Sequence, residues 1–472
     1  MARILLLAVL AAGTLHAQDR HYWTHQFGTH SALRGGAVVG GVDDTSAVYY
    51  NPGRLGFIRN NSLKVSVDAY QLSTLSMDDG AGSGIDLASV RGDIIPLAAS
   101  GVFLFEGAPG HAVGFSVLTR QYSDARVSAQ REDQLNVIAD SRSPGAEQYI
   151  GNFDLRVSTE EYWAGLCYSW QVNEWFSIGA SNFGCLRYED LDVRATSRAV
   201  NSTAETFGAD NLSGLAFWNL RLLAKAGVAI DLGSLKMGFA LTTPGAHIAG
   251  GATVSRQLTI INLDTDGDGS GESLEASARE SGALSRFHSP WSFSSGLDYT
   301  HHATTLAFSW EWFLPVGKYK AVSPQESKPF IRGITAGGPD SKDVLAFHDG
   351  RRGCFNLALA LENRWDADWS GVWSFRSDYA ADYLHDGGSF LGISTWDLFH
   401  FATGIEYTTR QDNGSPKHEL AVGLQFTVGS GKGDQPVSFD NPTEAGLLFG
   451  VPQEKEIGYF AIGLIVGYTY YF

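Results

Sequence analysis

The chain has 472 residues, a formal net charge of -17 and only 18% charged residues, against a globular average of about 25%. No clustered run of Lys and Arg interrupts the acidic balance, which excludes a nucleic-acid partner, because phosphate binding needs concentrated positive charge. Glycine (55 residues) and aromatics (12%) are plentiful, a composition suited to many strands joined by turns.

The chain opens on "MARILLLAVLAAGTLHAQ". Arg3, the apolar stretch from Ile4 to Ala12 and the small Ala17 read as a secretory signal peptide over residues 1–17. No Cys follows the expected cut, so export rather than lipid anchoring is implied. No run of about 18 apolar residues occurs elsewhere, so no membrane-crossing helix is expected. His21, His25 and His30 follow with no ligand pattern beside them, and are expected to be solvated.

Residues 18–60 are rich in Gly and small side chains and carry an Asn-Pro-Gly turn signal at Asn51 to Gly53. This stretch is too short to fold as a domain. It can be a flexible arm or a compact plug. Val48, Tyr49, Tyr50, Leu55 and Phe57 favour the plug, whose Arg34, Asp43, Asp44 and Arg54 could pair with charges around it.

From residue 61 to 472 the recurring signal is period-two alternation. It appears in "LKVSVDAY" (Leu63, Val65, Val67 and Ala69 against Lys64, Ser66, Asp68 and Tyr70), "LKMGFALT", "LAFSWEW", "FNLALALENRW" and "ELAVGLQFTV". It ends in "FAIGLIVGYTYYF", where Phe460, Ile462, Leu464, Val466, Tyr468, Tyr470 and Phe472 share one face. Short turns recur at 106–110, 171–174, 231–234, 300–303, 366–368 and 411–416. Long polar connections lie near 73–96, 123–157, 189–213, 246–287, 315–350, 380–393 and 430–456. A soluble sandwich also alternates. Short turns at one end and long connections at the other instead predict an all-β fold, a transmembrane antiparallel β-barrel of about 14 strands with lipid outside and a polar lumen. Lys64, Asp68, Arg221, Lys225, Lys236, Glu311, Glu362, Arg364, Arg376, Asp378 and Glu419 are expected to face that lumen, mostly as structural ion pairs. Cys167, Cys185 and Cys354 are expected to be free thiols packed on strands.

Within one long connection, "DTDGDGSGESLE" places Asp264, Asp266, Asp268, Gly269 and Glu275 at every required position of a calcium loop. Gly271 breaks the usual apolar position that follows, so the stretch fits either a Ca²⁺ site or a solvated acidic loop. No G-x-S-x-G elbow, P-loop or dinucleotide fingerprint occurs, so no enzyme is expected and no cofactor is required.

The segment before the barrel, with Gly35, Gly36, Ala37, Asp43, Asp44, Ser46, Ala47, Tyr50, Asn51 and Pro52 in order, resembles the N-terminal hatch of the FadL/TodX family of outer-membrane transporters of long-chain fatty acids and aromatic hydrocarbons. Gly53 and Arg54 replace that family's usual Ala-Gly, and "FALTTPGAHIAGG" resembles its strand-to-loop segment with Thr243 and Pro244 in place of Ser-Pro. The resemblance implies passive uptake of hydrophobic molecules, such as long-chain fatty acids, across the outer membrane of a Gram-negative bacterium. The partners it implies are membrane lipid, the hydrophobic ligand and the barrel-insertion machinery. Two other readings stay open: a non-transporting barrel that partners secretion machinery, and a general porin.

Overall fold

The computed structural model describes residues 21–331, 339–381 and 396–472. The signal peptide and parts of the 315–350 and 380–393 connections lie outside the described residues. Among the described residues, eighteen strands form in chain order: β1 (Ser62–Met77), β2 (Leu87–Leu104), β3 (His111–Leu135), β4 (Glu147–Asn173), β5 (Phe176–Val200), β6 (Thr206–Asp231), β7 (Leu235–Thr242), β8 (Ala246–Leu263), β9 (Glu272–Ser285), β10 (Ser292–His301), β11 (Thr304–Phe313), β12 (Val316–Ser323), β13 (Phe347–Arg351), β14 (Cys354–Arg364), β15 (Trp369–Asp378), β16 (Asp397–Arg410), β17 (Pro416–Asp434) and β18 (Glu454–Tyr471).

Fourteen of them close an antiparallel barrel. β1 to β7 pair in sequence, β7 passes to β10, β10 to β11 and β11 to β14, and β18 returns to β1 through Val65 opposite Tyr468. The remaining four strands build upward from one rim: β8 and β9 extend the upper half of β6, and β12 pairs with β13. The six expected short turns all join strands at the opposite rim.

The wall is much taller on one side. β3 to β6 run 25 to 27 residues, whereas β7, β10, β11, β14 and β15 run 8 to 11. Crossing a bilayer takes about 9 to 11 tilted residues, so the short strands set the height of a membrane belt and the long ones stand above it. The side chains mark the same boundary. In the lower part of β4, Tyr162, Leu166, Tyr168 and Trp170 point outward and are exposed, while Glu161 and Ser169 are buried inside. In its upper part the sense reverses without a break in pairing: Tyr149, Phe153, Leu155 and Val157 turn inward, and Asp154 and Arg156 outward. An apolar exterior suits hydrocarbon, and a charged exterior over an apolar core suits water.

This inversion corrects the expected loops at 123–157 and 189–213. Both are strand over most of their length, with connections only at 136–146 and 201–205. Charges at every second position gave these stretches a polar average, although period two persists and Leu191, Val193 and Ala195 stay buried. Their inner face joins Phe207, Phe217, Leu258, Ile260, Phe330 and Phe439 in an apolar core that roofs the barrel. A second departure lies in β1. A bulge between Asp68 and Tyr70 shifts the register, so Tyr70 is exposed on the outer wall rather than set opposite Val67.

Candidate functional site: the hatch seat and the cavity above it

Residues 21–61 fill the lower lumen as a plug. Helix α1 (Thr29–Leu33), helix α2 (Ala47–Tyr50) and a 3₁₀ turn (Pro52–Phe57) are each too short to be stable alone, and the wall supplies their packing. Asn51 is the hinge of this arrangement. Its Oδ1 accepts from Gly53 N at 3.0 Å, and its Nδ2 donates to Val39 O within the hatch at 2.9 Å and to Val228 O in the wall at 3.0 Å. Pro52 then starts the 3₁₀ turn, where a missing N–H costs nothing. Tyr50 Oη accepts from Phe27 N and donates to Gln26 Oε1, both at 2.8 Å. Gly35 and Gly36 both have positive φ, at 60° and 82°, a conformation that favours glycine.

The seat is a ring of wall glycines. A Cβ at Gly179 or Gly227 would overlap the Asn51–Gly53 turn, one at Gly238 the Val39 carbonyl, one at Gly296 the Gly40 amide, one at Gly404 or Gly423 the Leu33 side chain, and one at Gly467 the Thr29 hydroxyl. The hatch therefore rests on bare backbone, and side-chain volume anywhere on that ring would lift it.

Ion pairs fix it further. Arg34 pairs with Asp298, Arg54 with Asp231 at 3.0 Å, Asp44 with Lys64 at 2.6 Å, and His30 with Glu406 at 2.8 Å. Burial works against charge on His30, but Glu406 and Glu362 outweigh it and raise the imidazole to about 10. Burial likewise opposes ionisation of Asp44, and Lys64 overrides it, lowering the carboxyl to about 2. Asp43 stands apart: it is exposed to a cavity of about 460 Å³ at the turn end of the barrel, shared with His30, Lys236 and Glu362. Above the hatch, the segment from His21 to His25 is clamped by the wall. Asp378 accepts from the Tyr22 and Trp23 amides and the Thr24 hydroxyl, and Arg376 donates to the Trp23 and Thr24 carbonyls. His21 and His25 are accordingly buried, not solvated. Cys167, Cys185 and Cys354 are buried free thiols.

Directly over Tyr49 of the hatch is a cavity of about 50 Å³. Trp163, Leu223 and Phe287 give it apolar walls. Arg187, Arg221 and Arg351 surround the Phe287 ring at 4.3, 4.5 and 5.1 Å, and Glu161 pairs with two of them, meeting Arg221 at 2.5 Å and Arg187 at 3.0 Å, while Glu189 meets Arg187 at 3.2 Å. Arg120 and Lys225 differ. Neither side chain makes a hydrogen bond or salt bridge with a described residue. Lys225 lies 4.7 Å from the Tyr49 centroid, and Arg120 lies 6.0 Å from it and 5.6 Å from that of Trp163. Both residues line the cavity.

Lys225 was expected at the lumen; Arg120 was missed. It is the extra residue of a bulge, since Thr119 opposes Tyr162 while Gln121 opposes Glu161. The signal is a parity switch: Ala112 and Leu118 face inward at even positions, Ala125 and Val127 at odd ones. The same bulge opens a seam. β2 and β3 pair only from Leu104 opposite Ala112 to Ala98 opposite Leu118. Above that point side chains bridge them, with Thr119 Oγ1 donating to Pro96 O, Tyr122 Oη to Asp93, and Arg91 pairing with Asp124. A cavity of about 80 Å³ lies at this seam.

The acidic loop is elsewhere, on the far rim. Oxygens of Asp264, Asp266, Asp268 and Glu272 lie within 4.8 Å of one another. Glu272 takes the place expected for Glu275, which sits further along β9 and accepts from Thr259 Oγ1 at 2.9 Å. A calcium loop normally exits into a helix that brings its twelfth residue back; here the chain enters a strand at Glu272 and carries Glu275 away.

No family model matches the sequence, and no curated protein matches it. Solved structures do match. A Pseudomonas aeruginosa FadL homologue superposes with a TM-score of 0.58 at 13% identity, covering 95% of this chain and 99% of that one. The P. putida toluene transporter TodX gives 0.53 at 13% identity, covering 94% and 98%, and a TodX deltaS2S3 mutant, a monoaromatic hydrocarbon channel, gives 0.55 at 13%, covering 95% and 100%. With its 14-stranded closed wall and N-terminal plug, the chain has a FadL-like fold.

Proposed function

We propose that this protein sits in the outer membrane and lets hydrophobic molecules bearing an anionic head, long-chain fatty acids foremost, diffuse inward. The observation that carries this reading is the pair of cations, Arg120 and Lys225, whose side chains face an aromatic-walled cavity and form no salt bridge with a described residue, Glu161 and Glu311 lining the same cavity. A ligand carboxylate between them would form charge-assisted hydrogen bonds where water is scarce and such bonds are strong. The apolar core above, with Phe153, Leu155 and Phe217, offers the tail a route by partition alone. The β2–β3 seam is the wall's weakest line, because opening it breaks a few side-chain contacts rather than a ladder. No step consumes energy, and the lumen filled by the hatch argues against a general porin.

The test is uptake of a labelled long-chain fatty acid by Gram-negative cells that lack their own uptake channel. Surface-expressed protein is expected to restore uptake. Background uptake despite a folded, surface-exposed barrel would contradict the reading.

A further inference from the structure

The outer wall carries a groove of about 730 Å³ across β4, β5, β6, β7, β10 and β11, within the size range of about 300 to 1,000 Å³ typical of ligand pockets. It exists because Ala180 and Ala226 point outward where most of the belt presents large side chains, leaving a trough between Trp170, Phe239, Phe293 and Trp310. Its lining is almost wholly apolar, and it lies inside the exposed apolar belt, between the aromatic residues at the turn rim and the level of Tyr188 and Trp218. The groove is therefore continuous with the surface that faces hydrocarbon.

Its floor is also unusual. Gly179 and Gly227 line it from outside, and the same two glycines carry the Asn51–Gly53 turn of the hatch on the inside. One thickness of backbone separates the groove from the hatch.

We propose that this groove holds one acyl chain of a bilayer lipid, seated against the back of the hatch turn. The inference rests on the membrane placement proposed above and goes beyond it: the belt as a whole meets lipid transiently, while this trough lets a chain lie between aromatic side chains as well as against the wall. Bilayer tails are as apolar as the wall, so the preference comes from closer van der Waals contact in the trough than on the flat wall. The aromatic rims supply rigid faces for the chain to lie along.

The protein is reconstituted in phosphatidylethanolamine and phosphatidylglycerol vesicles containing a small fraction of phosphatidylcholine with a diazirine on its acyl chain, and labelled residues are mapped after irradiation. Labelling is expected to concentrate on residues 168–180, 226–241 and 293–310. It should fall severalfold there in the Ala180→Trp/Ala226→Trp variant, because the two indoles would fill the trough. Heat-modifiable mobility shows whether the variant barrel is folded, and a single Ala180→Trp change serves if the double variant is not. Equal labelling at Leu359, Ile405 and Leu424, on the opposite wall, overturns the proposal. Absence of label from the entire belt overturns the membrane placement itself, and with it this site.

Discussion

Replacing Arg120 and Lys225 together by methionine is expected to weaken binding of a long-chain fatty acid by about 100-fold, with each single change responsible for about tenfold. A hydrogen bond to a charged group contributes about 1.5 to 3 kcal/mol, and about 1.4 kcal/mol is a factor of ten, so two such contacts reach this size even with partial compensation by water. Methionine keeps the length and apolar bulk of both side chains, so Tyr49 and Trp163 retain their packing. Folding should survive, because neither cation has a salt bridge to lose among the described residues and burying an unpaired charge is itself unfavourable. A fatty alcohol of equal chain length separates head-group recognition from tail burial: its affinity should be low and unaffected by the double change. Unaltered fatty-acid affinity in the double variant, measured by fluorescence displacement, would remove these residues from the site.

The second large effect concerns the seat. Gly238→Val is expected to turn a nearly silent barrel into one that conducts ions steadily in a planar bilayer. A Cβ there overlaps the Val39 carbonyl and comes within 2.5 Å of Asn51 Nδ2, so the clash is with hatch backbone and with the side chain that ties hatch to wall. Overpacking costs about 1 to 3 kcal/mol where neighbours can adjust. Here the neighbour is hatch backbone, so the adjustment is a displacement of the Val39–Asn51 part of the hatch away from the wall, which opens a path past it. Gly184→Val provides the control. Its nearest heavy atom would be 3.8 Å away, and the barrel should stay silent. Silence in both variants, with both barrels folded, would mean that the hatch keeps its seat or that the apolar core above it closes the lumen by itself.

The barrel was readable from sequence because lipid and lumen impose opposite demands on alternate residues, and because Tyr468, Tyr470 and Phe472 mark a rim. The tall wall was not, because above the belt the same alternation is inverted. In "DLDVRAT" Asp190, Asp192 and Arg194 lie outside and Leu191 and Val193 inside, a pattern that averages to a polar loop. Bulges hid two further features, the outward turn of Tyr70 and the inward turn of Arg120, since one inserted residue exchanges the faces of everything after it. The hatch charges Arg34, Asp44 and Arg54 were identifiable as candidates for pairing, but Asp298, Lys64 and Asp231 emerge as their partners only once the wall closes around them. The glycine seat was invisible for a related reason: Gly179, Gly227, Gly238 and Gly467 look like ordinary strand glycines until hatch backbone is laid against them.

The cavity over Tyr49 is proposed to capture a hydrophobic anion in the lumen, on top of the hatch. The most direct test is binding of a fluorescent long-chain fatty acid to delipidated, detergent-purified protein, compared with a variant lacking residues 31–56. Saturable binding by the intact protein, lost or strongly weakened without the hatch because Tyr49 forms the cavity floor, is the predicted result. A folded intact barrel that shows no saturable binding, or a hatchless barrel that binds just as tightly, would contradict it.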